Sequence, residues 1–209
     1  MGGVIVDVRR ERAIESFKAL GLIDAEKFVD DYHHKGMFIA FENGDIDPDE
    51  FCRQLCQCIG KQVDAEVIEN AWKSMIEPPE EYKLEYINGL RKSYKIFLLT
   101  NNNPYIINWA CTQGFTSSGK ALTDYFDKIY VSFRMKCTKP GLKIYQMMIE
   151  DAGINPAESL FIDDSEKNIR AAKACGMEVC LVKNGSDWRN ELNAIINIFN
   201  PNSALEKNI

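Results

Sequence analysis

The chain has 209 residues, 45% of them hydrophobic, and a formal charge of -6 at pH 7, as expected for a globular protein that can bury a substantial core. The acidic balance, with a pI near 5.1, argues against binding to nucleic acid or to an anionic membrane, because both need a clustered basic face. No apolar run is long enough to cross a membrane, and the seven cysteines are an odd number without framework spacing, so we expect a cytoplasmic protein with free thiols.

The chain opens on two glycines ahead of an apolar run, MGGVIVDV. Glycines at such a place are typical of a turn where a strand ends and the backbone passes close to a ligand. The strand that this turn should follow is not in the sequence, and we expect it to lie upstream of Met1. A chain folded from Met1 should then show an open position in the middle of its sheet, or another segment filling it.

Residues 10–79 show helical patterns and no convincing strand. The patterns are ERAIESFKALG, AEKFVDDYHHKG, PDEFCRQLCQCIG and DAEVIENAWKSM. We predict a helical cap subdomain, inserted where the chain leaves the opening turn and therefore above the carboxyl edge of the sheet. His33 and His34 lie in a polar stretch of this region, which favours a solvated helix face over a ligand or a base.

From residue 80 onward, strand and helix patterns alternate. Strands are predicted at YKIFLLT, KIYVSF, SLFIDD and EVCLV, with amphipathic helices between them. This alternation predicts an α/β fold in which residues 1–9 and 80–200 form a Rossmann-like core with a parallel sheet covered on both faces. Residues 114–125 are predicted to form a surface excursion, and residues 201–209 a flexible tail.

Three polar features fall at the carboxyl ends of predicted strands, the edge where open α/β sheets bind ligands. They are Thr100 with Asn101, then Lys139, then Asp163 with Asp164. Each has a plain alternative, namely an asparagine-rich turn, a solvated lysine, and an acidic pair favoured by a helix dipole. Together they describe an anion held by a hydroxyl, an amide and an ammonium beside a hard cation such as Mg²⁺, which prefers oxygen ligands.

These motifs resemble those of the haloacid dehalogenase (HAD) superfamily of hydrolases, with LLTNN like its second motif, TKP like its third and LFIDDSEKNIRAA like its fourth. The opening MGGVIVDV is similar to the first motif, written Asp-x-Gly-Gly-Val in the branch of small sugar-phosphate phosphatases, some of which act on glucose 1-phosphate. The resemblance covers nearly the whole chain. It implies a Mg²⁺-dependent phosphatase for a small phosphorylated metabolite, since relatives that remove halide need no metal and lack the acidic pair.

The resemblance also implies roles in binding the phosphoryl group. Thr100 and Asn101 would hold the transferring phosphoryl oxygens, and Lys139 would offset the negative charge of the phosphate and of the nucleophile. Lys136 stands where the third motif commonly has glycine. We expect this change to affect the local turn while leaving the function of Lys139 intact.

For the metal, the resemblance implies three ligands. Asp164 would bind Mg²⁺ directly, Asp163 would bind it directly or through water, and the backbone carbonyl of Gly2 would complete the set. Asn168, one helical turn beyond the acidic pair, would orient the two carboxylates.

In the family, an aspartate at the end of the first strand attacks phosphorus and forms an aspartyl-phosphate that water hydrolyses. The alignment puts that aspartate immediately before Met1. Many relatives also carry an acid/base carboxylate at the position of Gly2, so the resemblance assigns no group here to protonate the leaving alcohol. If Met1 is the true start, the alternative is a catalytically inactive protein that binds a phosphorylated ligand.

Overall fold

A computed structural model describes residues 1–29 and 35–199. Over these residues the helices are α1 (Arg10–Leu20), α2 (Met37–Asn43), α3 (Pro48–Ile59), α4 (Ala65–Lys73), α5 (Glu81–Leu90), α6 (Pro104–Ala110), α7 (Ser132–Met135), α8 (Leu142–Ala152), α9 (Glu166–Ala174) and α10 (Arg189–Phe199). The strands are β1 (Phe97–Thr100), β2 (Lys128–Val131), β3 (Leu160–Asp163) and β4 (Glu178–Leu181). All four predicted strands are therefore present, and helices alternate with them as the sequence predicts.

The four strands form two separate parallel pairs. Strand β1 pairs with β2, with Thr100 opposite Val131, and β3 pairs with β4, with Asp163 opposite Leu181. Among the described strands no ladder joins one pair to the other. The apolar residues of both pairs pack against the surrounding helices.

The opening segment folds into a tight turn instead of a strand. The Met1 carbonyl accepts a hydrogen bond from the Ile5 amide at 2.8 Å, and the Gly3 amide donates one to the Val6 carbonyl at 2.9 Å. Gly3 has a φ of 78°, in the left-handed region that glycine tolerates best. The two opening glycines therefore form the turn that the sequence predicts.

The chain runs into the helices α1–α4 and back through two adjacent segments. The Arg9 amide donates to the Met75 carbonyl at 2.7 Å, and the Glu77 amide donates to the Asp7 carbonyl at 3.0 Å. An antiparallel bridge pairs Val8 with Ile76 between them. Because these segments are hydrogen-bonded to each other, the chain enters and leaves the helical region at neighbouring positions.

An aromatic cluster forms the interior of the α1–α4 region. Its members are Phe17, Phe38, Phe41, Phe51 and Trp72. Tyr105, at the start of α6, reaches this cluster with its ring centroid 5.2 Å from that of Phe41, and its hydroxyl donates to the Pro48 carbonyl at 3.3 Å. The helical region and the α/β region therefore share one apolar core.

One prediction in the helical region is wrong, and one helix there was missed. The stretch AEKFVDDYHHKG does not form the predicted helix over its described part, where only a 3-10 turn spans Ala25–Lys27. Phe28 instead stacks on Phe38, and Val29 is buried, so tertiary packing overrides the local pattern. The short helix α2 that follows was not predicted. His33 and His34 lie outside the described residues.

Several local predictions in the α/β region also need correction. The strand predicted at KIYVSF ends at Val131, because Ser132 begins α7. Residues 114–125 are not a loose surface excursion, since Phe115 and Leu122 are buried in the core. Helix α8 begins at Leu142. The tail predicted for residues 201–209 lies outside the described residues. Within the described ranges, the helices are too short or too polar to cross a bilayer.

Candidate active site

The polar residues predicted at the strand ends come together at one edge of the structure. Thr100 ends β1 and Asp163 ends β3, while Lys139 lies on the loop between α7 and α8. All three side chains are buried, with residue exposures of 3–6%. The Lys139 Nζ lies 2.6 Å from Asp163 Oδ2, so the two strand pairs are connected here by a buried ion pair.

Asp163 is held at both carboxylate oxygens. Its Oδ2 accepts from Lys139, and its Oδ1 accepts from the Ser165 amide at 2.9 Å and from Asn168 Nδ2 at 2.8 Å. Burial alone would raise the pKa of Asp163, but the charge of Lys139 and these hydrogen bonds outweigh burial and hold the pKa below its usual range. Asn168 was expected to orient the carboxylates of Asp163 and Asp164. Its side chain is hydrogen-bonded to that of Asp163.

Asp164 has the opposite environment. Burial, and then the negative charge of Asp163, raise the pKa of Asp164. No described side chain donates a hydrogen bond to its carboxylate. A Cβ atom placed on Gly3 would lie 2.1 Å from Asp164 Oδ2, so the opening turn passes directly against this carboxylate. A half-buried carboxylate beside a second one, with no side-chain hydrogen-bond donor of its own, is the kind of hard oxygen donor that fits a divalent cation.

A complete metal site is not formed by side chains alone. Among the described residues, no group of three His, Cys, Asp or Glu side chains is placed to hold a metal ion. The Asp164 carboxylate lies against the opening turn at Gly3, and both oxygens of the neighbouring Asp163 already accept hydrogen bonds. A site with so few side-chain donors suits Mg²⁺, which usually keeps several waters and binds few protein ligands.

The Met1 backbone nitrogen lies among the same charged groups. It is buried next to Lys139, Asp163 and Asp164. The backbone nitrogen of Met1 is therefore at the centre of the site.

Asn101 makes a contact that sequence reasoning missed. Its Oδ1 accepts from the Lys139 amide at 2.8 Å, and its Nδ2 donates to the Lys139 carbonyl at 2.9 Å. Both ends of the side-chain amide are therefore occupied by the backbone of the lysine. The side chain of Asn101 therefore positions Lys139.

Comparison with known proteins places this geometry in a family. The haloacid dehalogenase-like hydrolase model matches residues 3–176, most of the chain. The chain belongs to the haloacid dehalogenase-like hydrolases. Within this HAD family, it is 44% identical over 196 residues to a D-ribitol-5-phosphate phosphatase from Bacteroides thetaiotaomicron, an alignment that covers 94% of this chain and 95% of the relative.

Solved structures of HAD enzymes share the fold. A predicted HAD-like family hydrolase from Porphyromonas gingivalis superposes with a TM-score of 0.89 at 36% identity, covering 93% of this chain and 94% of that one. A HAD family enzyme from Bacteroides thetaiotaomicron, solved as an aspartate-to-alanine mutant with magnesium and inorganic phosphate, gives a TM-score of 0.87 at 37% identity, covering 92% and 95%. The predicted α/β fold class and family are therefore confirmed.

Proposed function

We propose that this HAD hydrolase is a Mg²⁺-dependent phosphatase that hydrolyses a small phosphorylated sugar or sugar alcohol. The observation that carries the proposal is the buried Lys139–Asp163 ion pair next to the carboxylate of Asp164, whose pKa is raised by burial and by Asp163. Such a site offers a cation for the phosphate and a carboxylate for a metal in one place. The similarity to a D-ribitol-5-phosphate phosphatase supports the substrate class, and the relative solved with magnesium and phosphate supports the metal.

The residues around the phosphate would divide the work of binding it. The Thr100 hydroxyl and the backbone of Asn101 would hold the phosphoryl oxygens at the end of β1. Lys139 would offset the charge that develops as phosphorus is attacked, and Asp163 would keep the lysine ammonium in place. Electrostatic stabilisation of this kind requires a fixed, buried charge, as the low exposure of both side chains provides.

Asp164 and the carbonyl of Gly2 would hold Mg²⁺, with Asp163 contributing directly or through water. When bound, the ion would neutralise phosphate charge and polarise the phosphoryl group. The closeness of Gly3 to Asp164 supports this assignment, because it brings the backbone of the opening turn within reach of the same ion as the carboxylate.

The nucleophile would be an aspartate directly preceding Met1. Support comes from the Met1 nitrogen, which is buried among Lys139, Asp163 and Asp164, so a residue joined to it would lie in the site. A carboxylate oxygen of that aspartate would bond to phosphorus as the bond to the substrate alcohol breaks. Water would then attack phosphorus, release inorganic phosphate and restore the carboxylate. With glycine at position 2, the proposal assigns no side chain to protonate the leaving alcohol.

The helices of residues 10–79 would form the cap that selects the substrate and excludes water during the first step, over a core of residues 1–9 and 80–200. Their attachment through the two adjacent segments at Val8 and Ile76 supports this division. The substrate would be a small metabolite in the cytoplasm, with neither nucleic acid nor membrane as a partner.

A panel of phosphate esters tests the proposal, with protein that includes the residues encoded upstream of Met1. We expect release of inorganic phosphate from sugar or sugar-alcohol phosphates, loss of release on chelation of Mg²⁺, and transient labelling of the protein by ³²P-substrate. Lack of release from every ester would contradict the proposal. Binding of inorganic phosphate with Mg²⁺ but without turnover would instead establish the noncatalytic ligand-binding alternative.

A further inference from the structure

The carboxyl end of α2 is joined to α7 at a contact that lies outside the site but next to it. The last carbonyls of a helix have no partner within the helix and must find donors elsewhere. At the end of α2, the Phe41 carbonyl accepts from the Gly44 amide, whereas the Glu42 and Gly44 carbonyls accept from side chains of α7 and the residue after it. We call this contact the α2–α7 junction.

Ser132 makes the first bond of the junction. It also contacts residues 101–103, which lie between β1 and α6 and which we call the phosphate loop. Its hydroxyl donates to the Glu42 carbonyl at 2.7 Å and accepts from the Asn102 amide at 3.0 Å. Ser132 is completely buried, so water cannot replace either bond. One hydroxyl group therefore connects the helical region to the residue that follows Thr100 and Asn101.

Lys136 makes the second bond. It is the only non-glycine residue with a positive φ among those described, with a φ of 55°, so it keeps the backbone conformation of the glycine common at this position. A left-handed conformation is unfavourable for a residue with a side chain. Lys136 offsets this cost by donating from Nζ to the Gly44 carbonyl, a favourable contact for a cation at a helix carboxyl end.

Gly44 completes the junction by allowing the two turns to touch. Its φ is 72°, and a Cβ atom at this position would lie 2.1 Å from the Phe133 carbonyl oxygen. Only glycine fits there, because any side chain would separate α2 from α7. The junction is therefore a backbone-to-backbone contact fixed by two side-chain donors.

The junction has two routes to the groups that would bind phosphate. Ser132 holds Asn102 directly. The loop that leaves α7 also leads within a few residues to Lys139, whose backbone is held by Asn101. Displacement of α2 would therefore change the positions of both the phosphate loop and Lys139.

We propose that the α2–α7 junction couples docking of the cap to the geometry of the phosphate loop, with Ser132 as a positioning residue and Lys136 as the bond that keeps the cap docked. The inference rests on the proposed phosphatase function and concerns the same site. When the cap is docked, Ser132 is fixed by Glu42 and in turn fixes Asn102. When α2 moves away, the Ser132 hydroxyl loses the Glu42 carbonyl and can donate only to the Asn102 carbonyl, 3.2 Å away, so the loop loses its connection to α2.

Two variants weaken the cap side of the junction alone, namely Lys136→Met and Gly44→Ala. We expect kcat/KM for D-ribitol 5-phosphate to fall about tenfold, since small misplacements in an active site are costly. Hydrolysis of acetyl phosphate, which is too small to contact the cap, should fall by a similar factor, because the disturbed phosphate loop and Lys139 serve both substrates. A loss confined to D-ribitol 5-phosphate, or no loss with either substrate, would overturn the coupling.

Matched control variants make the same types of substitution at positions outside the junction. Lys128→Met removes an exposed lysine paired with Asp151. Gly60→Ala places alanine at a φ of 73°, where no atom lies within 4 Å of the new Cβ. Both controls should leave the kinetics with both substrates unchanged. If either control reproduces the loss, the effect belongs to overall stability and the proposal fails.

Ser132→Ala removes the bond to Glu42 and the bond to Asn102. We therefore expect kcat to fall about tenfold with both substrates while KM changes little. Thr116→Val is its control, because the Thr116 hydroxyl also accepts from a backbone amide and donates to a backbone carbonyl, both of Lys120. Ser132→Thr keeps the hydroxyl and should restore most of the rate. A Ser132→Ala enzyme that matches the Thr116→Val enzyme would rule out the positioning role.

Hydrogen exchange tests the coupling without turnover. Peptides over residues 37–46 should exchange faster in Lys136→Met and Gly44→Ala than in the wild type, and the Asn102 amide should exchange faster in Ser132→Ala. If the wild type hydrolyses no ester, the proposed function fails and exchange still decides the coupling. If the enzyme is active and exchange over residues 37–46 is unchanged in all three variants, the coupling alone is wrong.

Discussion

Asn101 and Lys139 are joined by two hydrogen bonds, one from the Lys139 amide to Asn101 Oδ1 at 2.8 Å and one from Asn101 Nδ2 to the Lys139 carbonyl at 2.9 Å. The asparagine lies after β1 and the lysine before α8, so the pair closes the site between two distant parts of the chain. These two bonds fix the backbone of Lys139, and its Nζ lies 2.6 Å from Asp163 Oδ2.

Replacement of Asn101 by alanine should therefore impair Lys139 without removing it. We expect a loss of about 1–3 kcal/mol in the free energy of unfolding for two lost hydrogen bonds, and a fall in kcat of about 10- to 100-fold with little change in KM. Urea unfolding and steady-state kinetics measure both. Asn155→Ala is the control, since Asn155 accepts one bond from an exposed turn amide. A kcat equal to that of the control would contradict the positioning of Lys139 by Asn101.

Replacement of Gly3 by alanine should damage the site sterically. A Cβ atom at Gly3 would lie 2.1 Å from Asp164 Oδ2, and the φ of 78° is itself unfavourable for alanine. Gly119→Ala is a close control, because Gly119 has a φ of 76° and open space around it. Both variants should lose about 1–2 kcal/mol from the backbone, and Gly3→Ala should lose about 1–3 kcal/mol more from the clash. Equal unfolding midpoints in urea would show that Asp164 does not lie against the turn.

Asp164 should respond to Mg²⁺ in thermal unfolding. With Mg²⁺ at about 100 times its Kd, the wild type should gain about 2.7 kcal/mol of stability, whereas Asp164→Asn should gain almost none. Because the pKa of Asp164 is raised by burial and by Asp163, removal of its charge should also raise the Tm of the metal-free protein at pH 7. Asp151→Asn, at an exposed ion pair, should keep the full response to Mg²⁺. A variant at Asp164 that responds like the wild type would exclude it as a ligand.

Asp127 should make stability depend on pH in the acid range. Its Oδ2 accepts from the Ile96 amide at 2.7 Å, and this bond, together with Arg91, lowers the pKa of Asp127 in the folded state. Its contribution is therefore complete above the unfolded pKa of about 4 and is lost as pH falls through the folded pKa. The difference in unfolding free energy between wild type and Asp127→Asn should be constant near pH 7 and shrink below about pH 4. A difference that does not vary between pH 7 and pH 3 would contradict this assignment.

The order of elements and the location of the site could be predicted from the sequence because both depend on local patterns. Continuous apolar runs gave the strands of the α/β region, and the polar residues that follow those runs had to meet at one edge of a parallel sheet. Thr100 and Asp163 end β1 and β3 as predicted, whereas Lys139 lies on the loop between α7 and α8.

What the sequence did not reveal depends on contacts between distant segments. Ser132 was assigned to a strand because the apolar run continues past it, and its two hydrogen-bond partners lie 30 and 90 positions away. Asn101 was assigned to the phosphate because nothing local indicates that its amide is occupied by Lys139. The segment at residues 25–29 followed tertiary packing around Phe28 rather than its helical pattern.

Two features set the conditions for replacing the helical region by another segment. They are the bridge between Val8 and Ile76 and the position of Tyr105. Because the two ends of the region meet at neighbouring backbone positions, a segment of quite different length could be exchanged there without moving the strands. Tyr105 sets a second condition, since its ring is 8% exposed and is covered by Phe41. A transplanted region would have to bring its ends together and supply an apolar cover for this ring, so a grafted chimera with those two properties should fold where one without the cover should aggregate.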